Sequence, residues 1–335
     1  MALPTQPLGK TGFEITRVGF GAWAAGGGGW AYSWGPQDDK DSVASIRYAV
    51  ESGVNWVDTA GIYGLGHSEE VVAMAMEGIP EGDRPFIFTK CGLVWDASDP
   101  FRPAERVGSP DSIRADCEAS LRRLKVEAID LLQMHWPAED GASLEDYWGE
   151  LLKLKEEGKI RAAGLSNHNV SHLDEAEALG HVDTLQPPFS ALRREQAPEI
   201  AWCAAHSTGV IVYSPMQAGL LSGRFSVERA SQLHRDDWRA RSPLFQGEQL
   251  ARNLALADAM RPIAERKGTT VAAVAVAWVL SWPGITAAIV GARTPGQVGG
   301  WLPAADLELS HEDLEEIATA TESLGAGTGP VRPGS

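Results

Sequence analysis

The feature that most restricts the fold of this chain is a regular alternation of strand-like and helix-like segments. Eight short apolar runs recur between residue 17 and about residue 305, and segments with helical periodicity lie between or after them. The predicted strands are residues 17–22, 54–58, 85–90, 129–134, 160–165, 182–186, 209–213 and 285–290. The predicted helices are residues 40–52, 68–78, 111–125, 144–157, 170–179, 197–207, 270–281 and 295–302. Eight such units predict an α/β fold of the (β/α)8 TIM-barrel type with a closed parallel sheet.

Three segments lie outside the repeating units. The sequence before the first strand predicts an N-terminal β-hairpin over about residues 1–16, placed at the bottom of the barrel. Long insertions at residues 24–39 and 215–247 are expected on the active-site face, where such loops often act as lids or binding loops. The Gly/Pro-rich end, residues 325–335, is expected to be a flexible tail. We expect residues 1–335 to form a single barrel domain.

The composition restricts the partners and the compartment. The net charge of −16, from 29 basic and 45 acidic side chains, argues against nucleic acid or an anionic membrane as the partner. The three widely spaced cysteines, Cys91, Cys117 and Cys203, are typical of reduced thiols in a cytosolic protein. The N-terminus has no apolar signal core, and no run of about 18 apolar residues suggests a membrane span. We therefore expect a cytoplasmic protein; the sequence leaves its oligomeric state open.

Four polar residues follow the ends of three successive predicted strands. Asp58 and Tyr63 lie in VDTAGIYG, Lys90 ends FIFTK, and His135 follows LLQM. Because the loops after the strands of a barrel form its active-site face, these side chains are expected to converge. The sequence therefore predicts a catalytic group made of a carboxylate, a phenol, an ammonium and an imidazole.

These residue types suit proton transfer to a carbonyl oxygen. A neighbouring Lys90 ammonium is expected to lower the pKa of Tyr63, and Asp58 would hold Lys90 in place as its counter-ion. Tyr63 would then act as a general acid, a contribution of about 10²–10⁴ in rate. His135 would donate a hydrogen bond to the same oxygen. Carbonyl reduction also needs a hydride, which proteins take from a cofactor.

Other polar and aromatic patterns have more than one interpretation. The four glycines at residues 26–29 suit either a phosphate cradle or a flexible lid, and the lid is favoured. His168 and His172 have zinc-ligand spacing, but the stretch lacks the glutamate of H-E-x-x-H and any third ligand, so no metal is expected. Five tryptophans fall in loops of the upper face and predict an aromatic substrate pocket, in which the substrate-binding residues are Trp23, Trp30, Trp95 and Trp136, with Trp34 nearby.

Motifs along most of the chain are similar to those of the aldo-keto reductase family. In chain order they are GFGAW (19–23), VDTAGIYGLGHSEE (57–70), FTK (88–90), MHW (134–136), GLSNH (164–168), YSPMQAGLLSGR (213–224), DDWRARSPLFQGE (236–248) and IVGARTPGQV (289–298). The resemblance implies a (β/α)8 barrel that binds NADP(H) without a Rossmann fold. It also implies the catalytic roles described above for Asp58, Tyr63, Lys90 and His135.

The resemblance further implies which residues hold the cofactor. Tyr213 should stack on the nicotinamide, and Arg293 is the natural fork for the adenosine 2′-phosphate. The full implied set is Gly21, Trp23, Ser166, Asn167, Gln186, Tyr213, Ser214, Pro215, Met216, Gly219, Leu220, Ser222, Arg224, Gly291, Arg293 and Gln297. Where many relatives carry a Glu-Asn pair against the adenine, this chain has Gly300 and Trp301.

Together these patterns predict an NADP(H)-dependent reductase that converts aldehydes or ketones to alcohols, with a small carbonyl compound or sugar as substrate. One alternative is an NAD(P)-dependent sugar or polyol dehydrogenase. Another is a nucleotide-binding, redox-sensing auxiliary subunit, but the complete catalytic group favours an enzyme. A metal-dependent barrel hydrolase would need a ligand cluster that the sequence does not contain.

Overall fold

A computed structural model describes residues 3–333 of the protein. Its strands are β1 (Thr5–Pro7), β2 (Glu14–Thr16), β3 (Val18–Gly21), β4 (Trp56–Asp58), β5 (Phe86–Cys91), β6 (Leu93–Val94), β7 (Glu105–Arg106), β8 (Ile129–Met134), β9 (Ile160–Ser166), β10 (Thr184–Gln186), β11 (Gly209–Val212) and β12 (Ala287–Gly291). Its helices are α1 (Asp39–Glu51), α2 (His67–Met76), α3 (Pro110–Leu124), α4 (Leu144–Glu156), α5 (Val170–Leu179), α6 (Ala197–His206), α7 (Val227–Ser231), α8 (Gly247–Ala259), α9 (Arg261–Arg266), α10 (Val271–Leu280), α11 (Pro295–Trp301) and α12 (His311–Leu324).

The eight strands β3, β4, β5, β8, β9, β10, β11 and β12 close into a parallel barrel in that order, and β12 pairs with β3. Phe20 pairs with Val57, and Phe88 pairs with Leu131, so the strands run in register around the wall. The predicted (β/α)8 fold is confirmed, and every predicted strand lies within two residues of its observed bounds. This closure brings the carboxyl ends of all eight strands to one face.

The eight predicted helices are present, but the structure adds four that the sequence pattern did not predict. These are α7, α8, α9 and α12. The last begins with a capping box, in which Ser310 and Asp313 exchange side-chain and backbone hydrogen bonds. The S-x-x-D spacing of this capping box is the feature of the sequence that indicates the start of α12. No helix within the described residues is long and apolar enough to cross a membrane.

The N-terminal hairpin closes the bottom of the barrel, as predicted. β1 and β2 pair antiparallel, and the intervening Leu8 and Phe13 are buried with Ile15 among side chains inside the barrel. Trp56 of β4 donates from Nε1 to the backbone oxygen of Thr16 at 2.8 Å. The hairpin therefore covers the amino ends of the strands, at the face opposite their carboxyl ends. The first two residues of the predicted hairpin lie outside the described chain.

The end of the chain differs from the free tail that its composition predicts. Residues 325–333 lie against the loop after β10, where the Arg194 amide donates to the Thr328 oxygen at 2.9 Å. Arg332 forms ion pairs with two glutamates of α12. Composition alone did not predict this, because the contacts with the loop after β10 join residues more than 130 positions apart, which only the closed barrel brings together. The last two residues of the predicted tail lie outside the described residues.

Candidate active site

Each barrel strand ends in or beside a residue that the sequence analysis singled out. In strand order these residues are Gly21, Asp58, Lys90, His135, Ser166, Gln186, Tyr213 and Gly291. They share one face because parallel strands of a barrel end together. The structure therefore brings the predicted catalytic residues and much of the predicted cofactor set to one place.

Lys90 and Asp58 form a buried ion pair at this face. Lys90 Nζ lies 2.6 Å from Asp58 Oδ1 and donates to the Thr59 oxygen at 2.8 Å. Gln186 Nε2 donates to Asp58 Oδ2 at 2.9 Å. Burial raises the pKa of Asp58 and lowers the pKa of Lys90, and the opposite charge of each partner counters the shift of the other. Since buried charges are costly unless they are paired and hydrogen-bonded, these contacts fix the ammonium in position.

Tyr63 lies beside this pair. Lys90 Nζ is 5.1 Å from the centroid of the Tyr63 ring, and Trp23 stacks on that ring at 5.9 Å. Burial raises the pKa of Tyr63 well above its ordinary value, and the Asp58 carboxylate raises it further. The pKa of Tyr63 is therefore raised rather than lowered as expected, because burial and the Asp58 carboxylate outweigh the effect of the Lys90 ammonium. At neutral pH Tyr63 holds its proton.

His135 is the neutral partner of Tyr63. Burial lowers the pKa of His135 well below its ordinary value, and the positive charges of Lys90 and Arg106 lower it further. The two rings meet edge to face with their centroids 5.8 Å apart. A neutral imidazole has one N–H donor and one acceptor nitrogen. The phenol and the imidazole can therefore both contact one substrate oxygen without placing another cation there.

The turn that carries Tyr63 is held on two sides. On one side it touches the glycine run, where a Cβ on Gly64 would lie 2.1 Å from the Gly26 oxygen, so this approach requires glycine. Gly26 therefore packs against the turn, whereas a flexible lid was expected from this run. On the other side the Arg123 Nε lies 2.6 Å from the buried carboxylate of Glu69. These contacts fix Tyr63 relative to the barrel.

A hydrogen-bond network joins the ends of four strands beside the catalytic group. The Tyr213 hydroxyl donates to Asn167 Oδ1 at 2.8 Å, and Asn167 Nδ2 donates to the His135 oxygen at 2.9 Å. The Ser166 hydroxyl donates to the Gln186 oxygen at 2.8 Å. Asn167 has φ +62°, a left-handed conformation that asparagine tolerates better than most residues. The network fixes the orientation of the Tyr213 ring.

A cavity of about 290 Å³ extends from Asp58 and Tyr63 along the segment that follows β11 and along β12. Twelve of the predicted cofactor residues line it: Gly21, Trp23, Tyr213, Ser214, Pro215, Met216, Gly219, Ser222, Arg224, Gly291, Arg293 and Gln297. Four do not: Ser166, Asn167 and Gln186 belong to the network beside it, and Leu220 is fully buried in the hydrophobic core. Lining residues that the sequence analysis did not assign to the cofactor include Trp34, Phe225, Arg229, Arg239, Thr270 and Trp301.

Positive charge is concentrated in this cavity. Arg224, Arg229, Arg239 and Arg293 line it, and Asp58 is the one carboxylate residue among the lining residues of the described chain. The whole protein carries a net charge of −16. Four arginines in one cavity of an acidic protein favour an anionic ligand.

Two loops interlock above the cavity, and we call residues 23–38 and 233–246 the roof. Trp23 stacks on Trp238 with ring centroids 5.7 Å apart and an angle of 10°. Trp34 meets both rings edge-on, at 5.2 and 5.7 Å. The long insertions were predicted to lie here, but their pairing was not, because it joins residues about two hundred positions apart.

Two of the cavity arginines also hold the roof. Arg239 Nη2 lies 2.6 Å from the Asp237 carboxylate, and the guanidinium lies 4.6 Å from the Trp34 ring centroid. Arg293 Nε donates to Gln37 Oε1 at 2.6 Å, and its terminal nitrogens donate to the oxygens of Trp34 and Pro36. Arg293 was expected to bind a phosphate; in the structure it also ties the first roof loop to the cavity wall.

The predicted substrate tryptophans occupy different positions. Trp23 lines the cavity. Trp30 is 3% exposed and donates from Nε1 to the Gly27 oxygen at 3.1 Å. It belongs to a small buried apolar cluster against which Tyr63 packs, and it does not line the cavity. Trp95 packs against the same small apolar cluster. Trp136 lies under the Arg106 guanidinium, 4.6 Å from its ring centroid, and does not line the cavity.

The histidines with zinc-ligand spacing have structural contacts. His168 Nε2 lies 2.9 Å from the Tyr147 hydroxyl, and Nδ1 lies 2.8 Å from the Ser166 oxygen. Burial lowers the pKa of His168 to about 3. No group of three potential metal ligands occurs among the described residues. His168 therefore packs and bonds inside the protein, and His172 lies beside it with ring centroids 5.3 Å apart.

The sequence is similar to curated proteins along nearly its whole length. Residues 17–322 match the Aldo/keto reductase family. Aldo-keto reductase YhdN of Bacillus subtilis (strain 168) is 33% identical over 318 residues, which cover 94% of this chain and 93% of that protein. The NADH-specific methylglyoxal reductase of Escherichia coli (strain K12) is 32% identical over 329 residues, which cover 94% of this chain and 98% of that protein.

Solved structures resemble the barrel and its loops. A glycerol dehydrogenase from Gluconobacter oxydans superimposes with a TM-score of 0.87 at 35% identity, covering 100% of this chain and 99% of that chain. An aldo-keto reductase from Bacillus halodurans superimposes with a TM-score of 0.75 over 95% of this chain and 96% of that chain, and its 21% identity supports the fold alone. With a matching sequence and fold, this chain belongs to the aldo/keto reductase family.

Proposed function

We propose that this protein reduces aldehyde or ketone groups to alcohols with NADP(H), and that Tyr63 is the proton donor. As a member of the aldo/keto reductase family the protein is an oxidoreductase. The observation that carries the proposal is the buried Lys90–Asp58 pair, 2.6 Å between Nζ and Oδ1, beside a protonated Tyr63 at the end of a cationic cavity.

The cavity residues fit a nicotinamide dinucleotide, the type of cofactor that the family uses. Tyr213 offers a flat aromatic wall whose hydroxyl is fixed by Asn167 at 2.8 Å. Beyond Tyr213, glycines at the cavity edge leave backbone accessible, and four arginines supply positive charge for phosphates. Gly219 has φ +98° and only a distant neighbour, Arg239, near the position of an added Cβ. The order from aromatic wall to arginines matches the order from nicotinamide to phosphates.

The chain's own residues would orient and protonate the substrate. Bound NADPH would supply the hydride for the carbonyl carbon. Tyr63 and His135 would donate hydrogen bonds to the carbonyl oxygen, which polarises the carbonyl. As negative charge develops on that oxygen, Tyr63 would transfer its proton, and the neighbouring Lys90 ammonium would stabilise the phenolate that remains. The roof would exclude water from this step.

Preference for NADP(H) over NAD(H) is the finer part of the proposal, and Arg293 supports it. Arg293 forms three hydrogen bonds to the roof, one from each guanidinium nitrogen. A guanidinium has five N–H donors, so each of the two terminal nitrogens has one N–H that bonds to no other described residue. These N–H groups can form charge-assisted hydrogen bonds to a phosphate. Such a contact is worth about 1.5–3 kcal/mol, or roughly tenfold to a hundredfold in affinity. Because the similar methylglyoxal reductase of Escherichia coli is NADH-specific, the affinities for NADPH and NADH are to be compared directly.

The first prediction concerns cofactor choice. Titration followed by tryptophan fluorescence should give a Kd for NADPH about tenfold or more below that for NADH, and Arg293→Ala should remove most of the difference. Arg235→Ala is the control, because the Arg235 side chain is 89% exposed. Equal affinities for the two cofactors, or an Arg293→Ala protein with undiminished NADPH affinity, would contradict the preference.

The substrate is found by following NADPH consumption with aromatic aldehydes, sugars, keto-sugars and methylglyoxal. A second candidate function, oxidation of a sugar or polyol, is favoured by the 35% identity to a glycerol dehydrogenase. Assays of the corresponding alcohols and polyols with NADP⁺ and NAD⁺ distinguish reduction from oxidation as the favoured direction. A higher kcat/KM for polyol oxidation than for any carbonyl would support this second candidate.

A further inference from the structure

Residues 326–330 form a short strap on the loop of residues 187–195, which follows β10. The Arg194 amide donates to the Thr328 oxygen at 2.9 Å, and the Thr328 amide donates to the Leu192 oxygen at 3.3 Å. The fit is close, because a Cβ on Gly329 would lie 2.5 Å from the Arg194 carbonyl carbon. The strap is therefore seated on this loop along its backbone.

The side chain of Arg194 fastens the strap. This residue is 3% exposed, and its guanidinium donates to the oxygens of Ala326, Gly329 and Pro330, as well as to Ala191 in its own loop. Arg194 forms no salt bridge among the described residues, and the Glu195 carboxylate offsets only part of the burial that lowers the pKa of Arg194. A buried guanidinium that relies on carbonyl oxygens needs all of them in place, since an unpaired buried cation is costly.

The other side of the same loop supports residues 213–219, the segment of the cavity lining that begins with Tyr213 and that we call the wall. The Phe189 amide donates to the Tyr213 oxygen at 3.1 Å, and the Tyr213 amide donates to the Pro187 oxygen at 3.0 Å. The Ser190 hydroxyl donates to Gln217 Oε1 at 3.2 Å. The loop thus lies between the strap and the cavity wall, and it contacts both through hydrogen bonds.

The wall needs such support because its backbone is strained. Three non-glycine residues that follow Tyr213 have positive φ: Ser214 at 57°, Gln217 at 45° and Ala218 at 53°. Non-glycine residues in this conformation are strained and persist only where the surrounding structure fixes them. Ser214 and Ala218 line the cavity, so relaxation of this segment would change the cavity itself.

We propose that Arg194 is a positioning residue for the nucleotide-binding wall, and that it acts by fastening residues 326–330 behind the loop that holds Tyr213 and Gln217. The ligand concerned is the dinucleotide of the proposed function, on which this inference rests. Arg194 does not line the cavity, so its influence is indirect. Removal of the guanidinium should release the wall and weaken nucleotide binding, while Tyr63, Lys90 and His135 keep their own contacts.

The test compares Arg194→Ala with the wild-type protein by amide hydrogen exchange without nucleotide. Exchange in residues 213–219 should accelerate about tenfold or more, because local opening there becomes easier, while exchange in the hairpin of residues 5–16 stays unchanged. The Kd for NADPH should rise about tenfold, while kcat at saturating nucleotide stays within about threefold. Millimolar guanidinium ion should restore part of the affinity, which general destabilisation would not permit.

Two further variants make the test decisive. Gly329→Ala keeps Arg194 but displaces the strap, since Gly329 has φ +89°, and it should show the same exchange pattern even where Arg194→Ala does not fold. Arg84→Ala is the matched control, because Arg84 also donates to a backbone oxygen but lies before β5 at the other end of the barrel. Unchanged exchange in residues 213–219 of folded Gly329→Ala or Arg194→Ala would overturn the inference. A wild-type protein that binds no nucleotide would refute the proposed function instead, and the exchange data would still decide the role of Arg194.

Discussion

At the scale of single residues, the site combines a phenol that keeps its proton with an imidazole that stays neutral. Burial raises the pKa of Tyr63 and lowers the pKa of His135, so both shifts remove charge from the substrate side. Lys90, the cation beside Tyr63, is held by Asp58 at 2.6 Å. A carbonyl oxygen would therefore meet two neutral donors, with the ammonium placed to stabilise the phenolate only after proton transfer.

The pH dependence of reduction follows from these shifts. Tyr63 is active when protonated, and its raised pKa keeps it so through neutral and mildly alkaline pH. Because the pKa of His135 lies well below its ordinary value, the imidazole is already neutral at pH 7 and stays neutral as the pH rises. We expect kcat for carbonyl reduction to be flat between about pH 7 and 9. An inflection within this range that disappears in Tyr63→Phe or His135→Gln would show that the pKa of that residue is shifted less than the structure indicates.

At the scale of secondary-structure elements and loops, the roof is the part that the sequence could not predict. Its two loops meet through Trp23, Trp34 and Trp238, and the Trp238 amide donates to the Ser33 oxygen at 3.1 Å. The barrel elements were predictable because their apolar periodicity is local. The roof was not, because its contacts join segments without regular periodicity and far apart in the chain.

Loss of one roof tryptophan should speed the release of nucleotide. Trp238→Ala removes the ring stacked on Trp23, a pair worth about 0.5–1.5 kcal/mol beyond its buried area. We expect stopped-flow fluorescence to show the dissociation rate of NADPH rising about tenfold, with a smaller change in the association rate. Trp202→Ala is the control, since Trp202 lies in α6 and stacks on His206 rather than on the roof. An unchanged dissociation rate in Trp238→Ala would mean that the roof does not retain the cofactor.

At the scale of the whole molecule, the fold separates a sealed end from a reactive end. The hairpin closes the amino ends of the strands, and the carboxyl ends hold the proposed catalytic group. The positions of Asp58, Tyr63, Lys90 and His135 at this end could be predicted from the sequence, because each lies at or after the end of a recognisable strand. The direction of the Tyr63 pKa shift could not, since the expected ammonium effect is outweighed by burial and by Asp58, and both depend on three-dimensional packing.

The strap at residues 326–330 is a second feature that only the whole structure reveals. Its Gly/Pro-rich sequence is typical of disorder, yet Arg194 and the backbone of its loop hold it in place. Composition describes what a segment does in isolation, whereas this segment gains its structure from a surface formed by a distant part of the chain. Predictions from sequence are weakest for such segments.

Proton donation by Tyr63 is tested most directly by the kcat of Tyr63→Phe on the substrate that the carbonyl panel identifies. The Kd for NADPH is measured in the same variant. The change keeps the ring stacked beside Trp23 and removes only the hydroxyl, so folding and the Kd for NADPH should be preserved. We predict that the rate of reduction falls about 10²–10⁴-fold. Lys90→Met should cause a loss of similar size, and the double variant should be little worse than either, because the two residues act as a unit. A Tyr63→Phe protein that binds NADPH and keeps near-normal kcat, with hydride transfer shown to be rate-limiting, would contradict the account.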